Sequence, residues 1–136
     1  MTMRRTAFAA LCGLCLVVVS ACDAAHAQSP ECRVEPFSGA AMPQGADTTM
    51  RLVNTGKTCT IINFGVGADR SNPAQSGTIT KPPAHGKAEF KPPRAAYTPE
   101  PGYVGEDAFE YEAFARGQSN QPVRLLVRVK VTVTAP

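Results

Sequence analysis

The sequence has few of the residues from which catalytic and nucleic-acid-binding sites are built. Among its 136 residues are 2 histidines, 3 tyrosines and no tryptophan, and the net charge is only +3. No run interleaves aromatic and basic residues as stacking on nucleic acid requires, so we expect no nucleic-acid partner. No glycine-rich phosphate loop or cluster of metal ligands is present, so we expect no cofactor and no metal. The chain is instead rich in proline and glycine, with 12 and 11 residues, which leaves little room for long helices.

The first 27 residues have the pattern of an export signal. Arg4 and Arg5 precede an uncharged, largely apolar run over residues 7–21, which is shorter than the roughly 20 residues that span a bilayer core. The stretch 25–27, Ala-His-Ala, matches the A-x-A cleavage pattern and predicts a mature start at Gln28. We therefore expect residues 1–27 to be a signal peptide and residues 28–136 to form one domain, in the periplasm or outside a bacterial cell.

A second cleavage site lies a few residues earlier. The stretch 19–22, Val-Ser-Ala-Cys, resembles the lipobox of bacterial lipoproteins, in which the cysteine is acylated and becomes the first residue. Lipidation at Cys22 would anchor the protein in a membrane, and only in that case do we expect a membrane partner. The sequence leaves both start sites open.

The cysteine count becomes even once the signal is removed. Of 5 cysteines, Cys12, Cys15 and Cys22 lie at or before the cleavage sites, which leaves Cys32 and Cys59. Two cysteines in an oxidising compartment most simply form one disulfide. A closed loop of about 27 residues is worth roughly 3–4 kcal/mol in the chain-entropy account.

The C-terminal part alternates apolar and polar residues with the period of two that is typical of strands buried on one face. Strands over 107–116 and 123–134 flank a turn-rich stretch and predict a terminal hairpin. Exposed charges favour the register that places Glu110 opposite Lys130 and Glu112 opposite Arg128. A register displaced by two residues would place Glu110 opposite Arg128 and Glu112 opposite Leu126.

Further strands are predicted upstream, with prolines at their boundaries. The stretch 54–57, Asn-Thr-Gly-Lys, is a plausible tight turn, so we expect the strands 48–54 and 58–64 to form a second hairpin. Residues 65–76 are expected to form a long surface loop. With additional strands at 32–37, 77–81, 86–90 and 94–98, the chain is predicted to be an all-β sandwich of seven or eight short strands.

Three spaced motifs resemble the bacterial immunoglobulin-like, cadherin-like repeats of secreted and surface proteins. They are Pro-Ala-His-Gly at 83–86, Tyr-Thr-Pro at 97–99 and Pro-Gly-Tyr-Val-Gly-Glu-Asp-Ala-Phe-Glu-Tyr at 101–111. The resemblance implies a single immunoglobulin-like β-sandwich and leaves activity open, because that fold hosts unrelated functions. Where such repeats often carry an acidic pair after the last motif, this chain has Ala115 and Arg116, which supply no oxygen ligands for a hard cation.

Within the motifs, two polar residues are expected to be structural. Asp107 precedes a strand, where an aspartate accepts hydrogen bonds from loop amides. His85 is expected to shape its Pro-x-His-Gly turn. Phe109 and Tyr111 share the face of the hairpin that carries the valines, so we expect both in the core.

The predicted exposed face of the hairpin supplies the candidate binding residues. Arg116, Arg124, Arg128 and Lys130 would form a basic stripe for an anionic envelope polymer, unless Glu110 and Glu112 neutralise it. Phe114 and Leu126 are apolar on the same face and would form the contact patch of an adaptor that adds an edge strand to a partner's sheet.

Catalysis is the less favoured alternative. Glu110 and Glu112 lie two apart on one strand face, near the spacing of an inverting glycosidase, which makes a carbohydrate-active enzyme an alternative. A small sandwich offers no obvious cleft, and the hairpin already gives both glutamates basic partners. The sequence therefore favours a non-catalytic exported protein, a binding or structural module for an envelope protein or a polysaccharide.

Overall fold

The computed structural model describes residues 31–66 and 72–136. The predicted signal segment 1–27, with Cys22, lies outside the described residues. Within the described ranges no helix is long and apolar enough to cross a membrane. The prediction of an all-β fold is confirmed, with eight strands: β1 (Cys32–Val34), β2 (Ala46–Val53), β3 (Cys59–Ile62), β4 (Ser76–Lys81), β5 (Gly86–Lys91), β6 (Arg94–Pro99), β7 (Gly105–Arg116) and β8 (Pro122–Thr134).

The strands form two sheets. The larger sheet has five strands in the order β1-β2-β8-β7-β4, and the smaller has three in the order β3-β6-β5. In the larger sheet, β8 pairs antiparallel with β7 and parallel with β2. The strand β8 therefore occupies the middle of the sheet, whereas β1 and β4 are its edges.

A single core lies between the sheets, as the alternating pattern predicts. Both sheets contribute apolar side chains at every second position, where the pleat turns them inward. Tyr97, Phe109, Tyr111 and Met50 are the largest fully buried side chains. The buried residues that surround them are Leu52, Cys59, Ile61, Ala74, Ala95, Ala113, Ala115, Leu125, Val127, Val129, Val131 and Val133.

The terminal hairpin forms, but with the displaced register. Glu110 faces Arg128 and Glu112 faces Leu126, so the favoured pairing of Glu110 with Lys130 is wrong. In the observed register Glu112 instead reaches diagonally to Arg124 at 2.7 Å, and Arg128 pairs with Asp47 of β2. This register also removes the repulsive Arg116–Arg124 pairing of the favoured register.

The second predicted hairpin does not form. Strand β2 pairs with β1 and β8 in the larger sheet, whereas β3 pairs with β6 in the smaller one. The turn between them crosses from one sheet to the other. Asn54 fixes this crossing, since its side-chain amide donates to the carbonyl oxygens of Glu100 at 2.8 Å and Tyr103 at 3.0 Å.

The region predicted as a long surface loop is partly structured in its described residues. Gly65 N–H donates to the Asn72 carbonyl at 2.7 Å, and Phe64 forms an isolated antiparallel bridge with Pro73. Ala74 packs in the core, and β4 begins two residues later. The two ends of the loop are therefore paired with each other before β4 starts.

The predicted disulfide is confirmed. Cys32 in β1 is bonded to Cys59 in β3, with a Cα–Cα distance of 5.6 Å. Because these strands belong to different sheets, the bond links the two halves of the sandwich. It joins the edge strand of the larger sheet to the edge strand of the smaller sheet.

Candidate functional site

An open groove of about 680 Å³ lies between the segments that follow β1 and β3. Residues 34–41 form one wall and residues 61–66 form the other, while Leu125 contributes from β8. The wall and floor side chains are mostly apolar and include Val34, Phe37, Ala40, Ala41, Ile61, Ile62, Phe64, Val66 and Leu125. The disulfide between β1 and β3 lies just before both walls in the sequence.

The groove opens because its two walls follow different sheets. Ala40 accepts a hydrogen bond from Leu126 N–H at 2.9 Å, so the first wall bends towards β8. Asn63 N–H donates to the Pro93 carbonyl at 2.9 Å, so the second wall continues beside β6. Gly65 then lies against β7, where an added Cβ would be 1.9 Å from the Arg116 carbonyl oxygen.

A satisfied polar pair lies behind the second wall. The side-chain oxygen of buried Asn63 accepts from the Tyr111 hydroxyl at 2.7 Å, and its amide donates to the Ile61 carbonyl at 3.1 Å. Burial raises the pKa of Tyr111 well above its usual range, so this hydroxyl stays neutral. The pair holds the wall in place and offers no reactive group.

The second wall includes an edge strand. Among the strands of residues 31–66 and 72–136, β3 pairs with β6 alone. The N–H of Asn63 points towards the β6 side, and backbone groups alternate in direction along a strand. The backbone groups of Thr60 and Ile62 therefore point away from β6, towards the open edge, and the Ile62 side chain is 45% exposed. Such an edge can pair with an added strand.

The predicted basic stripe is divided by ion pairs. Arg124 contacts Glu112 at 2.7 Å. Arg128 donates hydrogen bonds to both carboxylate oxygens of Asp47, at 2.8 and 3.0 Å. The hydrogen bond from Arg128 lowers the pKa of Asp47. Arg116 donates to the carbonyl oxygen of Asn120 at the hairpin turn.

Lys130 differs from the other members of the stripe. In the described part of the chain it takes part in no salt bridge, and it is exposed. Asp47, which engages Arg128, is a partner that the sequence did not reveal, because it comes from β2 through a parallel pairing. The four basic residues do not form a continuous cationic strip.

The two apolar residues of the hairpin face do not form a joint patch. Phe114 is 40% exposed and lies opposite Ser76 on β4. Leu126 is half-buried and lies against Gly45, where an added Cβ would be 2.7 Å from its own. The segment that precedes β2 therefore covers Leu126. Phe114 stays exposed on the same face, next to the edge strand β4.

Asp107, the third residue of β7, is the hub of the hydrogen bonds at one end of the sandwich, and it accepts from loop amides as the sequence predicted. Its carboxylate accepts from the backbone N–H groups of Ala84, His85 and Ala108, each at 2.9 Å, and from the Tyr97 hydroxyl at 2.8 Å. Desolvation raises the pKa of Asp107, but these four hydrogen bonds outweigh it and hold the pKa below its usual value. The carboxylate ties the β4–β5 turn to β6 and β7.

His85 packs beside this hub. Its ring stacks on Tyr103 with centroids 4.3 Å apart and planes 8° from parallel. Its carbonyl oxygen accepts from Glu100 N–H at 3.0 Å. The histidine thus shapes its turn through backbone bonds and ring packing, as the sequence predicted.

The glutamates that suggested glycosidase chemistry do not line this groove. Glu112 is held by Arg124, and Glu110 lies opposite Arg128 on the outer face of the larger sheet. Among residues 31–66 and 72–136, no group of three or more His, Cys, Asp or Glu side chains is placed to hold a metal ion.

The groove is the feature that sequence reasoning missed. It assigned residues 32–37 and 58–64 to strand interiors, whereas β1 and β3 end earlier and leave both segments free to line a groove. The available signal was the pair Ile61 and Ile62, since two adjacent apolar residues cannot both face one core in a strand.

Comparison of the chain with family models, with curated proteins and with solved structures found no significant match. Function is therefore inferred from the groove, the edge strand and the charges of this chain itself.

Proposed function

We propose that the chain is an exported, immunoglobulin-like binding module without catalytic activity, which holds an extended apolar segment of an envelope protein against β3. The observation that carries this proposal is the apolar groove of about 680 Å³ beside an open strand edge. Edge backbone groups provide hydrogen bonds along a bound strand, and the groove provides pockets for alternate side chains.

Two further features support export and the immunoglobulin-like assignment. The disulfide between the sheets suits an oxidising compartment, in keeping with the signal pattern of residues 1–27. The motifs that carry the family resemblance fall where a sandwich needs them: the 83–86 turn lies between β4 and β5, and Phe109 and Tyr111 fill the core.

The absence of catalysis is part of the proposal and rests on how the candidate groups are used. The Glu112 carboxylate is bound to Arg124, and the imidazole of His85 is stacked on Tyr103. Asp107 is surrounded by hydrogen-bond donors that its own fold supplies. These three groups therefore already have structural roles.

Selection of short displayed peptides on the purified protein tests the groove. We expect the selected peptides to alternate apolar residues, and to shift the amide signals of Thr60 and Ile62 in two-dimensional NMR spectra. Covering the exposed half of the Ile62 side chain is worth about 1 kcal/mol, and a lysine there must also be desolvated. Ile62→Lys should therefore weaken peptide binding about tenfold or more.

Val104→Lys is the matched control. Val104 is 56% exposed and is absent from the groove lining, and its substitution adds the same charge. Equal weakening by both variants, or amide shifts confined to residues outside 34–41 and 60–66, would refute the groove as the binding site.

Intact mass of the protein from its own host tests export and distinguishes the two start sites. A chain beginning at Gln28 supports simple signal cleavage, and a heavier chain beginning at an acylated Cys22 supports the lipoprotein alternative. Recovery of the uncleaved chain in the cytosol would contradict the export proposal.

A further inference from the structure

We propose that the Cys32–Cys59 disulfide is a redox gate on the groove, so that the protein binds its partner strand only when these two cysteines are oxidised. The inference rests on the proposed function, because it concerns the same groove. It adds a mode of regulation: the binding site is completed by oxidation and is lost on reduction by a dithiol.

The disulfide lies directly beside the groove. Cys32 and Cys59 are the first residues of β1 and β3, and their sulfur atoms are bonded. Two residues further along each strand, Val34 and Ile61 line the groove. Residues two apart in a strand lie on the same face, roughly 7 Å from each other. The disulfide therefore joins the two strands one side-chain position before the groove begins.

Each wall of the groove is otherwise fixed to its own part of the sandwich. On the first wall, Glu35 N–H donates to the Thr49 carbonyl oxygen at 2.9 Å, and the Glu35 carbonyl oxygen accepts from the Thr48 hydroxyl at 2.7 Å. On the second wall, Asn63 N–H donates to the Pro93 carbonyl oxygen at 2.9 Å. The first wall is thus attached to the larger sheet and the second to the smaller one, and the disulfide is the covalent bond between them.

Strand β1 depends on this bond more than β3 does. It has only three residues, none of them fully buried, and among the strands of residues 31–66 and 72–136 it pairs with β2 alone. By contrast, Cys59 and Ile61 of β3 are only 1% and 4% exposed. Segments with few buried contacts open at a low free energy without unfolding of the whole domain. Loss of the bond should therefore release β1 and the first wall and leave the second wall in place.

The step that opens the gate is a thiol–disulfide exchange with a dithiol. The Cys32 residue is half-buried, whereas Cys59 is buried, so a thiolate of the dithiol attacks the sulfur of Cys32. The sulfur of Cys59 leaves and takes up a proton. The second thiol of the reductant then loses its proton, attacks the mixed disulfide and releases Cys32 as a thiol. The dithiol is oxidised to a disulfide, and two electrons and two protons pass to the protein.

A released first wall must be ordered again whenever the partner strand binds. Ordering the backbone of a single residue lowers an affinity by about tenfold. Reduction should therefore weaken binding in the groove by about tenfold or more. A chain in a reducing compartment would keep both thiols and would not hold its partner, and an oxidising compartment would complete the site.

Amide hydrogen exchange in the oxidised and reduced protein tests the gate without any ligand. The Glu35 and Leu126 amides bond the first wall to the larger sheet, and reduction should accelerate their exchange by about tenfold or more. The amides of His85 and Ala108, which bond to Asp107, should keep their exchange rates. Equal acceleration of both pairs, or no acceleration of Glu35 and Leu126, would overturn the gate.

Binding of a peptide selected on the oxidised protein gives the second test. The reduced protein and Cys32→Ala/Cys59→Ala should each bind this peptide about tenfold or more weakly. Reoxidation should restore the affinity of the natural protein and leave that of the double variant unchanged. Equal affinity of the oxidised and reduced forms would overturn the gate and leave the groove as the binding site.

Asp107→Asn is the matched control, because it removes stabilising hydrogen bonds and keeps the disulfide. Asp107 lies near the start of β7, whereas Gly65 of the second wall lies against Arg116 at the end of that strand. This variant should bind the peptide with the affinity of the natural protein. Weakening as large as that on reduction would show that lost stability alone governs binding, and would overturn the gate.

The groove and its gate fail separately in these experiments. If no selected peptide shifts the amide signals of Thr60 and Ile62 in the oxidised protein, the proposed function is wrong. The exchange rates of Glu35 and Leu126 do not depend on any peptide, so they decide independently whether the disulfide holds the first wall in place.

Discussion

Replacing Asp107 tests whether one carboxylate holds an end of the sandwich together. In the natural protein each of its oxygens accepts two hydrogen bonds: Oδ1 from Ala84 and Ala108, and Oδ2 from His85 and Tyr97. Asp107→Asn keeps the size and shape of the side chain. It places an amide N–H₂ where Oδ2 was, against the N–H of His85.

The expected loss follows from counting these bonds. The amide oxygen keeps two bonds, the Tyr97 hydroxyl can turn and accept, and the bond from His85 is lost with two donors left facing each other. A hydrogen bond to a charged group contributes about 1.5–3 kcal/mol, and partial exposure of Asp107 brings the value towards the low end. We expect a loss of about 2 kcal/mol, which lowers the midpoint of thermal unfolding by about 10 °C in a domain of this size.

The effect must also depend on pH in one direction. The folded-state pKa of Asp107 is lowered, and an unfolded aspartate titrates near about 3.9. The stability that this carboxylate contributes is therefore complete above the unfolded pKa and is lost as the pH falls through the folded one. The difference between the natural protein and Asp107→Asn should be constant above about pH 5 and should shrink from about pH 4 downwards.

Urea denaturation at a series of pH values measures this difference. Glu106→Gln removes the same charge one residue earlier and should change stability by less than about 0.5 kcal/mol. Tyr97→Phe, alone and combined with Asp107→Asn, gives the coupling between hydroxyl and carboxylate by a double-mutant cycle. Two results would refute the stabilising role of the Asp107 carboxylate. One is a loss of unfolding free energy below about 0.5 kcal/mol in Asp107→Asn, and the other is a difference in stability between the two proteins that persists unchanged to pH 2.

Three further predictions concern the disulfide, the close approach at Gly65 and the register of the terminal hairpin. Reduction of the Cys32–Cys59 disulfide should destabilise the domain by about 3–4 kcal/mol, seen as a shift of the urea midpoint on adding reductant, and an unchanged midpoint would contradict a stabilising link. Gly65→Ala should lower the free energy of unfolding by about 1–3 kcal/mol, because the added Cβ meets the Arg116 carbonyl oxygen. A variant that unfolds at the same temperature as the natural protein would contradict this close approach. A Glu110→Cys/Arg128→Cys variant should form a cross-strand disulfide, detected by mass after alkylation. If this variant stays reduced while Glu110→Cys/Lys130→Cys forms a disulfide, the observed pairing is contradicted.

The core could be predicted from the sequence because alternation is a local property. The valines of β8 and the pair Phe109 and Tyr111 occupy every second position, and a pleated strand must then place them on one side. The disulfide could equally be predicted, since two cysteines remain once the predicted signal segment is set aside. These inferences need no knowledge of which strand lies beside which.

Pairing between distant strands could not be predicted in the same way. The turn after β2 has residues suited to a hairpin, but Asn54 uses its side chain to bond the far end of the sandwich. The hairpin register depended on weak exposed ion pairs, and Asp47, which engages Arg128, arrives from a strand 81 residues away. The pairing of Arg33 in β1 with Arg51 in β2 is likewise a product of the sheet and leaves no local signal.

The central place of β8 has a consequence for the order in which the protein is assembled. This strand follows all its partners in the chain, yet it joins the β1-β2 half of the larger sheet to the β7-β4 half. In a chain emerging from the ribosome with its N-terminus first, no strand pairing joins the two halves of the larger sheet until this last strand arrives. The larger sheet can therefore be completed only after β8 has been made, an order that is compatible with the proposed export.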